Sequence, residues 1–325
     1  MLSRVADSVF WMARYVERAE NVARFIDVNI NLTLDLGEEL ASQWEPLVAT
    51  SGDDQLFKKK YGAATREKVL KFLTFDLENP NSILSCLTAA RENARTARET
   101  ISSDMWEELN RFYLMVRDAV RAGVCEGDYE FYAQVKRGSH LLIGVTDATM
   151  SHGESWNFAR MGRLLERADK TSRLVDVKYY ILLPNVSYVG HSLDLAQWSA
   201  MLRSASALEM YRRSRGRIAP TPVVDFLLLD RDFPRSLRYC VSRAEQALRA
   251  ITGTPAGSFG NSAEQQLGRL RADLDFTSIG DIISRGMHEF IDDFQTRLNA
   301  VDERAYTCFF AAAPELSSQR QEITQ

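Results

Sequence analysis

Histidine is scarce in this chain, and chemistry that depends on it lacks its ligands. His140, His152, His191 and His288 are spread over 325 residues. None follows a glutamate by three positions, the spacing from which a di-metal carboxylate bundle draws its ligands. The nearest approach, His288-Glu289 with Asp292-Asp293, reads as the polar face of a helix, and no metal is expected. Cysteine is equally sparse: Cys86, Cys125, Cys240 and Cys308 are scattered and form no C-x-x-C pair. That usage points to a reducing compartment. Cys86, Cys240 and Cys308 lie amid apolar helical residues and read as core thiols. No Walker sequence, dinucleotide-binding glycine pattern or nucleophile elbow occurs, so no cofactor is expected. No apolar run approaches the ~18 residues of a membrane span, and Met1 to Asp7 carries no secretory signal. The expected location is the cytoplasm. A net charge of −4 gives no reason to expect nucleic acid.

Lysine is rare too, whereas arginine is abundant and patterned. The stretch Phe10 to Val28 returns as Gly162 to Val177. Ala13-Arg14 corresponds to Gly162-Arg163, Glu17-Arg18-Ala19-Glu20 to Glu166-Arg167-Ala168-Asp169, and Arg24 to Arg173. Ser242 to Ile251 reads as a weaker third copy. Internal repetition marks a repeated structural unit. At ~100° per residue, Leu2, Val5, Val9, Met12, Val16, Ala19, Ala23 and Ile30 form one apolar stripe. Glu20 and Asp27 fall inside it, with Glu17 and Arg24 at its edge. In the second copy, Asp169 and Asp176 interrupt a stripe of Phe158, Met161, Leu165, Ala168, Val175 and Tyr179.

A carboxylate facing a core is costly unless it is paired and hydrogen-bonded, and the arginine fork is its fitting partner. The pattern therefore points to a partly buried arginine–carboxylate network between the repeated helices. The competing reading is a solvated face of pairs such as Glu20–Arg24 and Asp169–Arg173, each worth a few tenths of a kcal/mol. A buried network can also serve only to fix helix register.

Every long segment has helical period, and nothing alternates for long enough to build a sheet. The expected fold class is all-α, a multi-helix bundle with repeated Glu/Arg-bearing core helices. One helical domain is expected over residues 1–310, with possible subbundles 1–184 and 191–310 sharing a core, followed by a mobile tail over 311–325. The first helix runs from about Leu2 to Leu36, stopped by Gly37, and a second from about Glu39 to Ser51. Gly52-Asp53-Asp54 reads as a turn and Lys58-Lys59-Lys60 as a solvated face. Asp104 is expected to cap a helix with Trp106, Leu109, Tyr113, Val116 and Val120 inward. A helix from Asp128 to Thr149 is expected to be interrupted at Gly138 and Gly144. His191 to Gly216 and Ser278 to Phe310 read as single helices. Thr221-Pro222 opens a short buried one. Arg91-Glu92-Asn93-Ala94-Arg95 forms a dense Arg/Glu surface beside a helix seam.

Taken together, Met1-Leu2-Ser3-Arg4, Trp11 to Asn21, Ala90 to Arg95, Trp106 to Asn110, Leu164 to Asp169 and Leu229 to Ser236 resemble the bacterial alpha-E family, a helical domain of unknown function named for a Glu-Arg motif. The motif positions are Glu17-Arg18 and Glu166-Arg167. The resemblance implies association with a circularly permuted ATP-grasp amide ligase and a transglutaminase-like protease. On that footing the chain is expected to be a non-catalytic helical partner of a peptide ligase system. The alternative is a site in which Arg14, Arg18, Arg91, Arg95, Arg163 and Arg167 hold a carboxylate or phosphate while Glu17, Glu20, Glu166 or Asp169 move protons. Arg24, Glu92 and Arg173 complete the candidate set. Two substitutions separate these readings. If the network is structural, Glu17→Gln and Arg167→Lys lower the thermal midpoint; if it is a site, activity is lost from a protein that still melts normally.

Overall fold

The computed structural model describes residues 1–36, 44–122, 129–180 and 192–311. Among the described residues there are fifteen α-helices and no strand. They are α1 (Ser3–Leu36), α2 (Glu45–Ser51), α3 (Asp54–Tyr61), α4 (Arg66–Thr74), α5 (Ile83–Thr96), α6 (Ser103–Arg121), α7 (Tyr129–Thr149) and α8 (Glu154–Tyr180) in the first part. There follow α9 (Ser192–Ser204), α10 (Leu208–Arg215), α11 (Pro220–Leu229), α12 (Leu237–Thr252), α13 (Ser262–Phe276), α14 (Ile279–Arg285) and α15 (Met287–Ala305), with a wider last turn at Tyr306–Phe310. Side-chain oxygens at Ser82, Ser102, Ser236 and Asn261 accept hydrogen bonds from the third residue onward and start their helices, as N-caps do. The expected boundaries at Gly37, Glu39, Asp128, Pro184 and His191, and nearly all of the tail, lie outside the described residues.

α1 and α8 lie against each other at the centre, and each is surrounded in the same way. α1 packs on α5 and α7, and α6 closes across those two; α8 packs on α12 and α15, and α13 closes across those. One hydrophobic core runs through both groups. A sequence match accompanies this approximate two-fold. Asp76, Pro80, Ser82 and Cys86 lead into α5 at the same spacing at which Asp230, Pro234, Ser236 and Cys240 lead into α12. The local bonds match as well. Cys86 Sγ faces the Pro80 carbonyl at 3.7 Å and Cys240 Sγ the Pro234 carbonyl at 3.4 Å. The segment Ser242 to Ile251 is therefore part of the counterpart of α5, not a third copy of the Glu-Arg helix.

Several local expectations are corrected. Residues 19–27 of α1 are buried on every side, so Glu17 and Arg24 are core residues and not edge residues. The stripe and its edge lose their meaning where a helix has no solvent face. The turn is made by a left-handed Gly52 and Asp53, and Asp54 already begins α3; the three lysines are exposed, as a solvated face requires, and sit in its last turn, where cations suit the exposed carbonyls. Ser102, not Asp104, caps α6; Met105, Leu109, Phe112 and Val116 face inward while Val120 is exposed. α7 runs straight through Gly138, whose added Cβ would sit 2.7 Å from Phe112, so this glycine serves close packing and does not break the helix. A left-handed Ser206 separates α9 from α10, and Gly286 at φ 98° separates α14 from α15. Helix α11 starts at Pro220, ahead of Thr221, and Cys308 is an exposed thiol.

Gly162 sets how closely the central pair approaches. A Cβ there would lie 2.5 Å from the Phe10 carbonyl oxygen on α1, and backbone cannot swing aside as a side chain can. Gly162→Ala is expected to cost about 1–3 kcal/mol in urea unfolding by forcing α1 and α8 apart.

Candidate functional site

The two Glu-Arg pairs exchange partners across the α1–α8 seam. Arg18 of α1 donates through Nε to Glu166 Oε1 at 2.6 Å and through Nη2 to Oε2 at 2.9 Å. Reciprocally, Arg167 of α8 donates through Nε to Glu17 Oε1 at 2.9 Å and through Nη2 to Oε2 at 2.7 Å. Both carboxylates are at most 1% exposed. Two parallel N–H···O bonds per pair fix orientation as well as contact. A helical shift of one residue would lose both.

Further arginines complete each carboxylate. Arg14 donates to Glu166 Oε2 at 3.0 Å and reaches Asp302 of α15 at 2.5 Å. Arg235, in the turn before α12, donates to Glu17 Oε1 and Asn21 Oδ1 and also to Glu20. Glu20 further accepts from Arg24 at 2.8 Å and from the Ser139 hydroxyl at 2.5 Å. Arg24 also lies against His140 and Ser206. On the other flank, Arg18 donates to Asn81, which in turn donates to Asp53. Asp169 accepts twice from Arg173 at 3.0 Å, and Lys170 stands 3.2 Å from it and 3.8 Å from Glu166.

Burial alone would push these carboxyls up, and the cations overcome it. Arg18, Arg14 and Lys170 hold Glu166 well below its ordinary value; Arg167 and Arg235 lower Glu17, and Lys170 and Arg173 lower Asp169. Glu20 is held down by Arg235, His140 and Arg24. All four stay ionised at neutral pH. The Cys86 and Cys240 thiols beside the network are pushed up to about 12 by burial and stay protonated, which makes them poor nucleophiles.

Residues 1–310 match the family described as a predicted alpha-helical domain with a conserved ER motif. The chain belongs to the Alpha-E family. It is similar to an uncharacterized protein of Mycobacterium bovis and to uncharacterized proteins of two Mycobacterium tuberculosis strains. Each is 26% identical over 276 residues, an alignment covering 78% of this chain and 30% of the relative. The chain thus spans less than a third of the length of the curated relatives it matches. No solved structure matches it.

The Alpha-E network gathers Arg14, Glu17, Arg18, Glu20, Arg24, Glu166 and Arg167 into one assembly, with Asp169 and Arg173 adjoining it through Lys170. It leaves out Arg91, Glu92 and Arg95, which lie on the outer face of α5. There Arg91 stacks over Trp106 and Tyr113, and Glu92 pairs with Arg95. Arg163 makes no ion pair among the described residues, and its Nε is buried without a hydrogen-bond partner. Sequence reasoning missed Arg235, Asp302 and Ser139 as members. Arg235 had a signal in the Asp-Arg-Asp-Phe-Pro-Arg-Ser run that aligns with the segment before α5; Asp302 and Ser139 sit in ordinary polar helix positions and had none. His288, of the acidic cluster on α15, lies with Nδ1 2.7 Å from Asp176 of α8. Among the described residues no three His, Cys, Asp or Glu side chains gather as a metal site would require.

Breaking one buried partner leaves the others uncompensated, so Glu166→Gln is expected to cost about 3–5 kcal/mol in urea unfolding near neutral pH. The acid dependence follows from the same shifts. Depressed carboxylates stabilise the fold above their ordinary value, 4.5 for a glutamate, and lose that contribution as pH falls through the folded-state value. Stability should therefore fall steeply below that point in the native chain and less steeply in Glu166→Gln. Asp302, raised by its burial, acts in the opposite sense.

Proposed function

We propose that this Alpha-E chain is a non-catalytic helical partner of an ATP-grasp amide or peptide ligase. The observation that carries the reading is that both oxygens of Glu17 and Glu166 are already taken by buried arginines. A general base must be free to accept a proton near its working pH, and these groups are saturated and held ionised. What such an assembly does well is hold two long helices in one register. A fixed register presents a fixed outer surface.

The relatives support docking, since the aligned region is under a third of each of those chains and the domain there adjoins a longer polypeptide. The α5–α6 face suits contact with another protein. Arg91 and Arg98 stack over Trp106, and Arg91 and Arg117 over Tyr113, with ring distances of 5.1–5.9 Å. Arginine and large aromatics are the residue types that dominate interface energetics. A transglutaminase-like protease is the further partner that the family resemblance suggests.

The test is gel filtration of the chain with an ATP-grasp ligase from its gene neighbourhood, followed by ATP turnover of each alone and of the mixture. A complex with altered turnover, weakened about tenfold or more by Trp106→Ala, is the expected result. Separate elution at micromolar concentration with unchanged turnover would remove the reading.

A further inference from the structure

Arg163 is the two-fold mate of Arg14, and the two arginines have opposite fates. Arg14 is held by Glu166 and by Asp302, which α15 brings across from the far side. The equivalent partners of Arg163 would be Glu17 and a carboxylate from α7, because α7 packs on α1 as α15 packs on α8. Neither is available. The Glu17 oxygens accept from Arg167 and Arg235 and make no bond to Arg163. Where Asp302 would have its counterpart, α7 presents Leu142, Ile143 and Thr146. The acidic residue in that stretch, Asp147, is exposed and accepts from the Trp156 indole at 3.2 Å.

Instead of a carboxylate there is space. A cavity of about 30 Å³, open to the surface, lies between α1, α6, α7 and α8, with Arg163, Glu17, Met12, Leu142, Ile143 and Trp156 in its wall. That is room for about two waters, the bulk of one carboxylate group. Arg160, 5.1 Å over the Trp156 ring, lines the same cleft. Burial pushes the Arg163 guanidinium down to about 10, the direction expected of a cation without a counter-charge in contact.

We propose that Arg163 anchors a carboxylate-binding cleft, in which a ligand carboxylate bearing a small apolar substituent takes the place at Arg163 that Asp302 takes at Arg14. A carboxylate matches the arginine fork, and the mostly apolar wall suits the substituent. The cleft borders the network at Glu17, whose carboxylate is bonded to Arg167 and Arg235, and is separate from the α5–α6 face. It does not depend on docking to a ligase.

The carboxylate has two sources, a free short-chain acid or the C-terminus of a peptide. The full chain is titrated by NMR, following the Trp156 indole resonance, with propionate, acetyl-Ala-Ala, acetyl-Ala-Ala amide and inorganic phosphate. The expected result is saturable binding of the two acids, none of the amide, and affinity weakened about tenfold or more in Arg163→Gln but unchanged in Arg95→Gln. Propionate binding as tightly as the dipeptide assigns a free acid; tighter dipeptide binding assigns a chain terminus. Arg163 breaks no ion pair when replaced, so Arg163→Gln keeps the fold. Thr146→Glu, which supplies a protein carboxylate to the cleft, is expected to abolish propionate binding. No saturation by either acid, equal binding of the amide or of phosphate, or unchanged binding in Arg163→Gln would overturn the proposal.

Discussion

The structure depends on one reciprocal exchange: the glutamate of each Glu-Arg pair is gripped by the arginine of the other, in the interior, across the seam between α1 and α8. Removing two charges from water costs much, and the attraction between them repays it only with good geometry and filled lone pairs. Here neighbours reinforce both pairs: Arg14 adds a bond to Glu166, and Arg235 and Asn21 add bonds to Glu17. Apolar side chains of similar volume could fill the same space, but they would tolerate sliding. Bidentate pairs do not, and they fix register and rotation together.

The rest of the fold is built outward from that pair. Gly162 allows the close approach that the guanidinium reach requires, and the repeated Asp-x-x-x-Pro-x-Ser turns deliver α5 and α12 to equivalent flanks. At those turns the two halves diverge. Asn81 accepts from Arg18, whereas its aligned partner Arg235 enters the network as a donor. The extra cation on one side and Asp302 on the other make the two ends of the network electrostatically unequal. An internal repeat supplied the frame, and substitutions at matched positions gave its two ends different chemistry. The pairing of Arg14 and the absence of an ion pair at Arg163 among the described residues are two results of the same divergence.

This division also separates the parts of the molecule that suit fastening from those that suit contact. Glu17 and Glu166 are bonded through both oxygens, as fastenings are. The stacked arginines over Trp106 and Tyr113 lie on the surface, and Arg163 looks into an open cleft. A domain that adjoins much longer sequence in its relatives benefits from a rigid centre, because its surface then keeps one shape.

The sequence by itself determined that the chain is helical, that two copies of a Glu-Arg helix form its centre, and that carboxylates interrupt their apolar stripes. Helical period and charge placement are local properties that a 3.6-residue repeat exposes directly. Which arginine meets which glutamate was a matter for the tertiary structure. The i,i+4 pairs visible in the sequence, Glu20–Arg24 and Asp169–Arg173, do form, but Glu17 and Glu166 find their arginines about 150 residues away. Arg163 looked equivalent to Arg14 and proved its opposite. The carboxylate that completes Arg14 comes from α15, at Asp302, and only the packing of a helix from the far end of the chain decides whether a buried arginine is paired.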